Sequence, residues 1–168
     1  DLKSVTEEML NNIHRLISNL RPALLDDLGL IAAITWYSDL RLNASGIDFN
    51  FDCDGLYDRY PSKVEATLFR IVQEAITNII RHAHATKVKI KLSQSETEVK
   101  LEIEDNGVGF DTQILQHPTP KYGLGLRGML ERTMILGGRF ELHTAPQRGT
   151  RIRVSIPLSK VWIANGKN

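Results

Sequence analysis

The sequence Val99-Lys-Leu-Glu-Ile-Glu-Asp105-Asn-Gly-Val-Gly109 predicts a β-strand that runs directly into a glycine turn. Every second residue from Val99 to Ile103 is apolar and the residues between them are charged, which is the pattern of a strand with one buried face. Asp105 continues the apolar phase, so its carboxylate points toward the core, where it needs a partner such as the amino group of a bound base. The two glycines allow a close ligand approach or a positive φ. Asp-Asn-Gly is equally good turn chemistry, so this stretch alone also fits a simple Asx-type turn.

The segment before this strand has the same alternation. Val88, Ile90 and Leu92 are separated by lysines, and the short polar link over residues 93–97 predicts an antiparallel hairpin. In that hairpin the lysine face of one strand lies beside the mostly acidic face of the next, which is a favourable pairing. The lysines are therefore better explained as a solvated sheet face than as a nucleic-acid patch.

Hydrophobic periodicity predicts the remaining elements of the chain. A long helix that begins at Pro61 precedes the hairpin, and residues 106–122 are predicted to form a long loop, which in a compact domain is usually functional. Further helices are predicted over residues 2–20, 24–42 and 124–136, and further strands over 47–51, 139–144 and 150–157.

The long helix carries Glu74-Ala-Ile-Thr-Asn78-Ile-Ile-Arg81-His82 near its end. Residues four and seven or eight positions apart share one side of a helix, so Glu74, Asn78 and either Arg81 or His82 line one edge of its apolar face. An acid, an amide and a base in this arrangement could meet a metal-bound phosphate. The same pattern also fits the ordinary polar border of an amphipathic helix.

The segment Gly123-Leu-Gly125-Leu-Arg-Gly128 begins the next helix, where free backbone N–H groups favour phosphate. It matches the dinucleotide-binding pattern G-x-G-x-x-G, but that pattern should follow a strand, and His117-Pro-Thr-Pro-Lys-Tyr122 is a poor strand. A Rossmann oxidoreductase is accordingly the weakest alternative. Gly149-Thr150 opens the last strand, and His84, His117 and His143 have no ligand-like neighbours in the sequence.

Composition narrows the class of protein further. The chain has 168 residues, a net charge of +1 and a single cysteine, Cys53. One cysteine excludes an internal disulfide and a cysteine-based zinc cluster, and the charge predicts no nucleic-acid partner. Because the chain starts inside a predicted helix and has no membrane-spanning run, we expect a cytoplasmic domain, whose full-length protein could be membrane-anchored.

Four of these segments, taken in order, resemble the ATP-site boxes of the superfamily that contains gyrase, chaperone, histidine kinase and mismatch-repair ATPases. They are Glu74–His82, Asp105–Gly109, Gly123–Gly128 and Gly149-Thr150. The resemblance implies a two-layer α/β sandwich of the Bergerat type, in which helices back one face of a mixed sheet. The opening segment Leu20-Arg-Pro-Ala-Leu-Leu-Asp-Asp-Leu-Gly-Leu30 looks like the connection from dimerisation helices to the ATPase domain in nitrate-sensor-like kinases. On this basis residues 1–22 are a partial second dimerisation helix, 23–158 the ATP-binding domain and 159–168 a tail.

The resemblance also implies roles for individual residues around the base and the metal. Asp105 accepts a hydrogen bond from the adenine amino group, Gly109 lets the base approach, and Thr150 helps to hold the base through water. Asn78 ligates Mg²⁺, Glu74 orients or activates the attacking group, and His82 is directed toward the phosphates.

The glycine-rich helix start receives the phosphates in this resemblance. The backbone of Gly123, Gly125 and Gly128 wraps the triphosphate, and residues 110–122 form a lid to which Lys121 adds positive charge. The other residues expected to contact the nucleotide are Gly107, Leu124 and Leu126.

The implied function is that of the ATP-binding catalytic domain of a two-component sensor histidine kinase. It transfers the γ-phosphoryl group of ATP to a histidine on a dimerisation domain outside this chain, in a homodimeric kinase that serves a response regulator with a helix-turn-helix output. The alternatives are an anti-sigma-factor-like serine kinase, which lacks such a connecting segment, and a nucleotide-binding module without kinase activity, against which the presence of both Glu74 and Asn78 argues.

Overall fold

A computed structural model describes residues 21–54, 59–115 and 124–158 of the chain. Its helices are α1 (Arg21–Leu42), α2 (Ser62–Asn78) and α3 (Leu124–Ile135), and its strands are β1 (Asp48–Asp54), β2 (Lys87–Gln94), β3 (Glu98–Asp105), β4 (Arg139–Thr144) and β5 (Thr150–Pro157). Short 3₁₀ turns occupy Asn43–Ser45 and Thr112–Leu115, and a π-helical turn occupies Ile79–Ala83. The predicted helix over 2–20, the tail over 159–168, Lys121 and Gly123 lie outside the described residues.

The five strands form one mixed sheet in the order β1-β2-β3-β5-β4. β1 and β2 are parallel, and every other neighbouring pair is antiparallel. Alternate residues of β2, β3 and β5 are buried on one face of the sheet, where they share a single core with the buried faces of α1 and α2. The predicted α/β fold with a mixed sheet is confirmed.

The opposite face of the sheet carries the charged residues, as the hairpin prediction requires. The predicted pairing is confirmed, since Lys89 lies opposite Glu104 and Lys91 opposite Glu102. The ion pairs of these acids, however, are made with the strand on their other side: Glu104 with Arg151 at 2.6 Å, and Glu102 with Arg153. Exposed pairs of this kind add little stability individually. Their importance here is that they neutralise a large part of the open face.

Helix α1 differs from the continuous helix predicted over 24–42. Gly29 lies inside it with φ 79° and ψ 175°, so two helical segments meet there at a kink. A glycine adopts this backbone without the steric cost that a side chain would add. Hydrophobic periodicity is insensitive to one such residue, which explains why the pattern predicted a single helix.

Helix α2 supplies most of the core from the helical layer. Pro61 is the residue that precedes the helix rather than its first residue, and the predicted apolar face is buried from Val64 to Ile76. Glu65 on the same helix is also buried, at 1% exposure. Its carboxylate accepts hydrogen bonds from both Nε and Nη2 of Arg59 at 3.2 Å and from the Tyr60 backbone N–H at 2.9 Å. Nη1 of Arg59 donates to the carbonyl of Asp26 at 2.7 Å, so this cluster ties α1 to α2.

Candidate functional site

A cavity of about 800 Å³ opens between the helices and the ends of two central strands. Its wall contains residues from α2 and the π-helical turn, from the end of β3, from the start of β5 and from α3. Six of the predicted site residues, from the first, second and fourth segments, line it together with the third segment on α3: Glu74, Asn78, His82, Asp105, Gly109 and Thr150. The fold thus brings the four sequence segments to one place.

Asp105 ends β3 with its side chain turned toward the core, as its phase in the strand predicts. It is 6% exposed, and its Oδ1 accepts a hydrogen bond from the backbone N–H of Gly107 at 2.8 Å. Burial raises the pKa of Asp105, the nearby charge of Glu104 adds to the rise, and hydrogen bonds from the backbone of Gly107 and Thr150 partly oppose it. A buried carboxylate in a cavity wall is suited to accept a hydrogen bond from a ligand, because a donor there replaces the lost water.

The turn after Asp105 is held by backbone contacts that only glycines permit. A Cβ on Gly107 would lie less than 3.0 Å from the carbonyl oxygen of Ala83, and the adjacent N–H of Val108 donates to that same oxygen at 2.8 Å. Gly107 therefore packs against the end of the π-helical turn and is not part of the cavity wall. Gly109 has φ +57°, and a Cβ there would meet the backbone of Ala145. Gly109 therefore allows the close approach of another loop of the protein, the one that contains Ala145.

Thr150 belongs to a small hydroxyl network at the start of β5. Its Oγ1 lies 3.2 Å from Oγ1 of Thr144, which donates to the carbonyl of Gly149 at 2.9 Å and accepts from the backbone N–H of Phe110 at 3.1 Å. Thr144 therefore connects the glycine turn to β5. Thr144 was not predicted as part of the site, because its contact with the glycine turn joins residues 34 positions apart.

The acid and the amide of α2 both face the cavity. Glu74 and Asn78 are one turn apart and half-buried, and neither has a side-chain hydrogen bond or ion pair within the part of the chain that the structure describes. The helix then changes to a π-helical turn over Ile79–Ala83. A regular helix offers either Arg81 or His82 to the cavity, whereas here both line it.

His84 also lies in the cavity wall, contrary to the expectation that it has no part in a ligand site. It follows the π-helical turn with a left-handed backbone, φ 50° and ψ 34°. Such a conformation is uncommon for a residue with a side chain and often occurs near functional sites. The neighbouring sequence gave no signal for it, because a π-helical turn changes the direction of every following side chain.

Helix α3 forms the wall opposite α2 with its first two turns. Leu124, Gly125, Leu126 and Gly128 line the cavity as the glycine-rich helix start predicts. A Cβ on Gly125 would come closer than 3.0 Å to Oε1 of Glu74, so the carboxylate rests against the backbone of α3. Arg132 also lines the cavity, one turn beyond Gly128, although the sequence analysis did not name it.

Residues 63–160 match the family model described as histidine kinase-, DNA gyrase B- and HSP90-like ATPase, which is more than half of the chain. The chain belongs to this ATPase family. The expected membership of the superfamily is therefore confirmed, and the Rossmann alternative is excluded.

The relatives of this ATPase domain are sensor kinases. It is 38% identical over 159 residues to the signal transduction histidine-protein kinase/phosphatase DegS of Brevibacillus brevis, which covers 95% of this chain and 40% of that protein. It is 31% identical over 159 residues to the oxygen sensor histidine kinase NreB of Staphylococcus carnosus, covering 94% of this chain and 45% of that one. The chain thus spans less than half the length of these relatives.

Solved histidine kinases share the fold of this ATPase domain. The histidine kinase AdeS of Acinetobacter baumannii superimposes with a TM-score of 0.62 at 19% identity, covering 93% of this chain and 85% of that one. The histidine kinase domain of a blue-light activated kinase from Erythrobacter litoralis superimposes with a TM-score of 0.58 at 22% identity, covering 79% and 63%. They show the fold alone, and the family match makes the chain an ATP-binding domain with that fold. Among residues 21–54, 59–115 and 124–158, no helix is both long and apolar enough to cross a bilayer.

Proposed function

We propose that this domain transfers the γ-phosphoryl group of ATP to a histidine on a dimerisation domain outside the chain. The observation that carries the proposal is the composition of one cavity wall: a buried carboxylate at Asp105, and at Glu74 and Asn78 an acid and an amide without a side-chain partner among the described residues. The first group suits a nucleobase, and the other two suit the phosphate end of a nucleotide. Phosphoryl transfer consists mainly of positioning and charge neutralisation, for which these groups suffice.

Adenine recognition is assigned to Asp105. Its carboxylate accepts a hydrogen bond from the exocyclic amino group of the base, and Thr150 holds the base from the adjacent strand through water. Gly107 and Gly109 contribute indirectly by fixing the turn that positions Asp105, because their nearest neighbours are protein backbone. The backbone N–H groups at the start of α3, including that of Gly125, would receive the phosphates, and Gly123 and Lys121, which lie outside the described residues, would add to this site.

The residues present fit a Mg²⁺ ion that is shared with the nucleotide. Mg²⁺ usually keeps several waters and binds one or two protein oxygens together with substrate phosphates. The described residues contain no cluster of three acidic, histidine or cysteine side chains that could hold a metal by themselves, and Asn78 with neighbouring Glu74 matches the shared arrangement. Asn78 would provide the ligand oxygen, and the ion would neutralise charge on the phosphates. His82 lies in the same wall and would face the phosphates.

Glu74 would orient the attacking imidazole or accept its proton. Its carboxylate rests against Gly125, so an added methyl group at that position must displace it. We therefore expect Gly125→Ala to slow phosphoryl transfer by about tenfold, since small misplacements of catalytic groups are costly. Alanine is favoured over glycine in a helix by about 1 kcal/mol, so the melting temperature should not fall. An unchanged transfer rate in the full kinase would contradict the role given to Glu74.

The whole protein is proposed to be a homodimeric, nitrate-sensor-like kinase. In this proposal residues 1–22 belong to the dimerisation bundle, 23–158 form the catalytic domain and 159–168 form a tail. The phosphoryl group would pass from the acceptor histidine to a response regulator with a helix-turn-helix output. The domain itself would lie in the cytoplasm.

Calorimetric titration of this chain with ATP, with NADH as a control ligand, tests the function at its first step. We expect saturable binding of ATP, with Asp105→Asn weakening it by about 10-fold to 100-fold, the value of a hydrogen bond to a charged group. Asp48→Asn is the matched control, because Asp48 is exposed on β1 and is not part of the cavity wall. Equal ATP affinity in wild type and Asp105→Asn would contradict the adenine assignment, and preference for NADH would contradict the function.

The stability of Asp105→Asn shows whether weaker ATP binding comes from the lost contact or from unfolding of the domain. Because burial raises the pKa of Asp105, ionisation of this group disfavours the folded state. The stability that protonated Asp105 contributes at low pH is therefore lost as the pH rises from the ordinary aspartate range through the raised pKa of this residue. Asparagine has no such ionisation, so at pH 7 the variant should be at least as stable as wild type in urea unfolding without nucleotide.

A further inference from the structure

Two arginines on facing helices have no acidic partner. Arg132 on α3 and Arg70 on α2 form no ion pair or side-chain hydrogen bond with any residue that the structure describes. Arg127, on the same helix as Arg132, shows the usual alternative: its Nε donates to Glu131 at 2.9 Å. Both side chains are exposed and close enough for their like charges to interact, so an anion near them would be attracted by both.

The positions of the two arginines follow from how the helices pack. Glu74 of α2 rests against Gly125 at the start of α3. Arg70 precedes Glu74 by one turn, and Arg132 follows Gly125 by two turns, so both lie further along the same helix–helix contact. Arginine side chains on a helix lean toward its N-terminus. Accordingly, Nη1 of Arg132 lies only 2.8 Å from where a Cβ on Gly128 would be, which directs the guanidinium back toward the cavity.

The electrostatics agree with this geometry. Desolvation lowers the pKa of Arg70, and the positive charge of Arg132 lowers it further. Arg81 adds another cation to the cavity wall, whereas Glu74 is the acid on the α2 side of that wall. An arginine fork matches a phosphate group geometrically and gives stronger hydrogen bonds than neutral donors do.

We propose that Arg132, supported by Arg70, binds the terminal phosphate of the nucleotide and makes the site selective for ATP over ADP. The inference rests on the proposed function, because it needs a nucleotide whose phosphates point toward the start of α3. Arg132 is the contacting residue. Arg70 is a positioning residue that raises the positive potential around it.

Calorimetry with ATP and with ADP, both in the presence of Mg²⁺, tests this assignment. We expect Arg132→Gln to weaken ATP binding by about tenfold and ADP binding by less than about twofold, since one charge-assisted contact is lost only with the triphosphate. Arg70→Gln should shift the ATP-to-ADP ratio in the same direction by a smaller factor. Arg139→Gln is the matched control, because it removes the same charge from an exposed position at the beginning of β4.

Thermal unfolding without nucleotide distinguishes this role from a structural one. Removing either arginine relieves repulsion, so the melting temperature should stay constant or rise, whereas loss of a structural contact would lower it. If the wild-type chain binds ATP but Arg132→Gln weakens ATP and ADP binding equally, or weakens neither, the inference about Arg132 is overturned and the proposed function is not. Unchanged ATP binding with slower transfer to the acceptor histidine would also overturn it and assign the arginines to an acidic group of the acceptor domain. A wild-type chain that binds neither nucleotide would overturn the proposed function as well.

Discussion

In the proposed full-length kinase, Asn78→Ala should slow phosphoryl transfer by more than about a thousandfold, because loss of the proposed Mg²⁺ ligand at the phosphates would remove several kcal/mol of charge stabilisation. Asn78 is half-buried in the cavity wall and has no side-chain partner within the described residues, so the protein itself loses little by the change. The rate is measured by incorporation of labelled phosphate into the acceptor histidine. Affinity for ATP without metal should remain within about threefold of wild type, since the base contacts are intact.

Asn50→Ala provides the control for this experiment. Asn50 is exposed on β1, where its amide donates to Asp52 at 3.2 Å, and it is not part of the cavity wall. The control kinase should transfer phosphate at the wild-type rate. Near-normal transfer by Asn78→Ala would show that another residue holds the metal. A loss of metal-free ATP binding would instead assign Asn78 to the nucleotide.

Gly149→Ala should destabilise the domain by about 2–5 kcal/mol, the sum of a strained backbone and a steric clash. Gly149 has φ +66°, and a Cβ there would lie less than 3.0 Å from the carbonyl oxygen of Asp105. That atom belongs to the backbone of the residue assigned to the base, so it cannot move without disturbing β3. For a domain of this size the melting temperature should fall by roughly 5–15 °C, measured by calorimetry.

Gly46→Ala isolates the backbone part of that effect. Gly46 has nearly the same conformation, φ +67°, but a Cβ there would have no neighbour within 4 Å. Its destabilisation should therefore be only about 1 kcal/mol, from the left-handed backbone alone. The difference between the two variants measures the clash with Asp105. Equal destabilisation would mean that β3 and β5 yield easily at this point.

The elements that could be predicted from the sequence are those whose signal is local. The alternation in β3 predicts its inward Asp105, and the same reasoning predicts the bounds of β4 and β5 as they occur. The glycine-rich start of α3 was recognisable because phosphate sites need backbone that is free of side chains. These features depend on a few consecutive residues, so no tertiary information is required for them.

The features that escaped prediction depend on contacts between distant segments or on single backbone angles. The kink at Gly29 and the π-helical turn after Asn78 leave the hydrophobic pattern unchanged, and the second of these brings His84 into the cavity wall. Arg132 and Thr144 enter the site only because α3 and β4 pack where they do. Sequence spacing therefore predicted the chemistry of the site better than its full extent.

The ion pair between the half-exposed Arg59 and the buried Glu65 couples the position of α1 to that of α2. Pulling the segment around Asp26 away from α2 would break its hydrogen bond with Arg59. Arg59 would then be held less firmly against the carboxylate of Glu65, which is 1% exposed. The hydrogen bond between Arg59 and Asp26 contributes about 1 kcal/mol at this half-exposed guanidinium, so the separation is disfavoured. A displacement of the segment around Asp26 would therefore act on the first turn of α2, the helix whose last two turns carry Glu74 and Asn78.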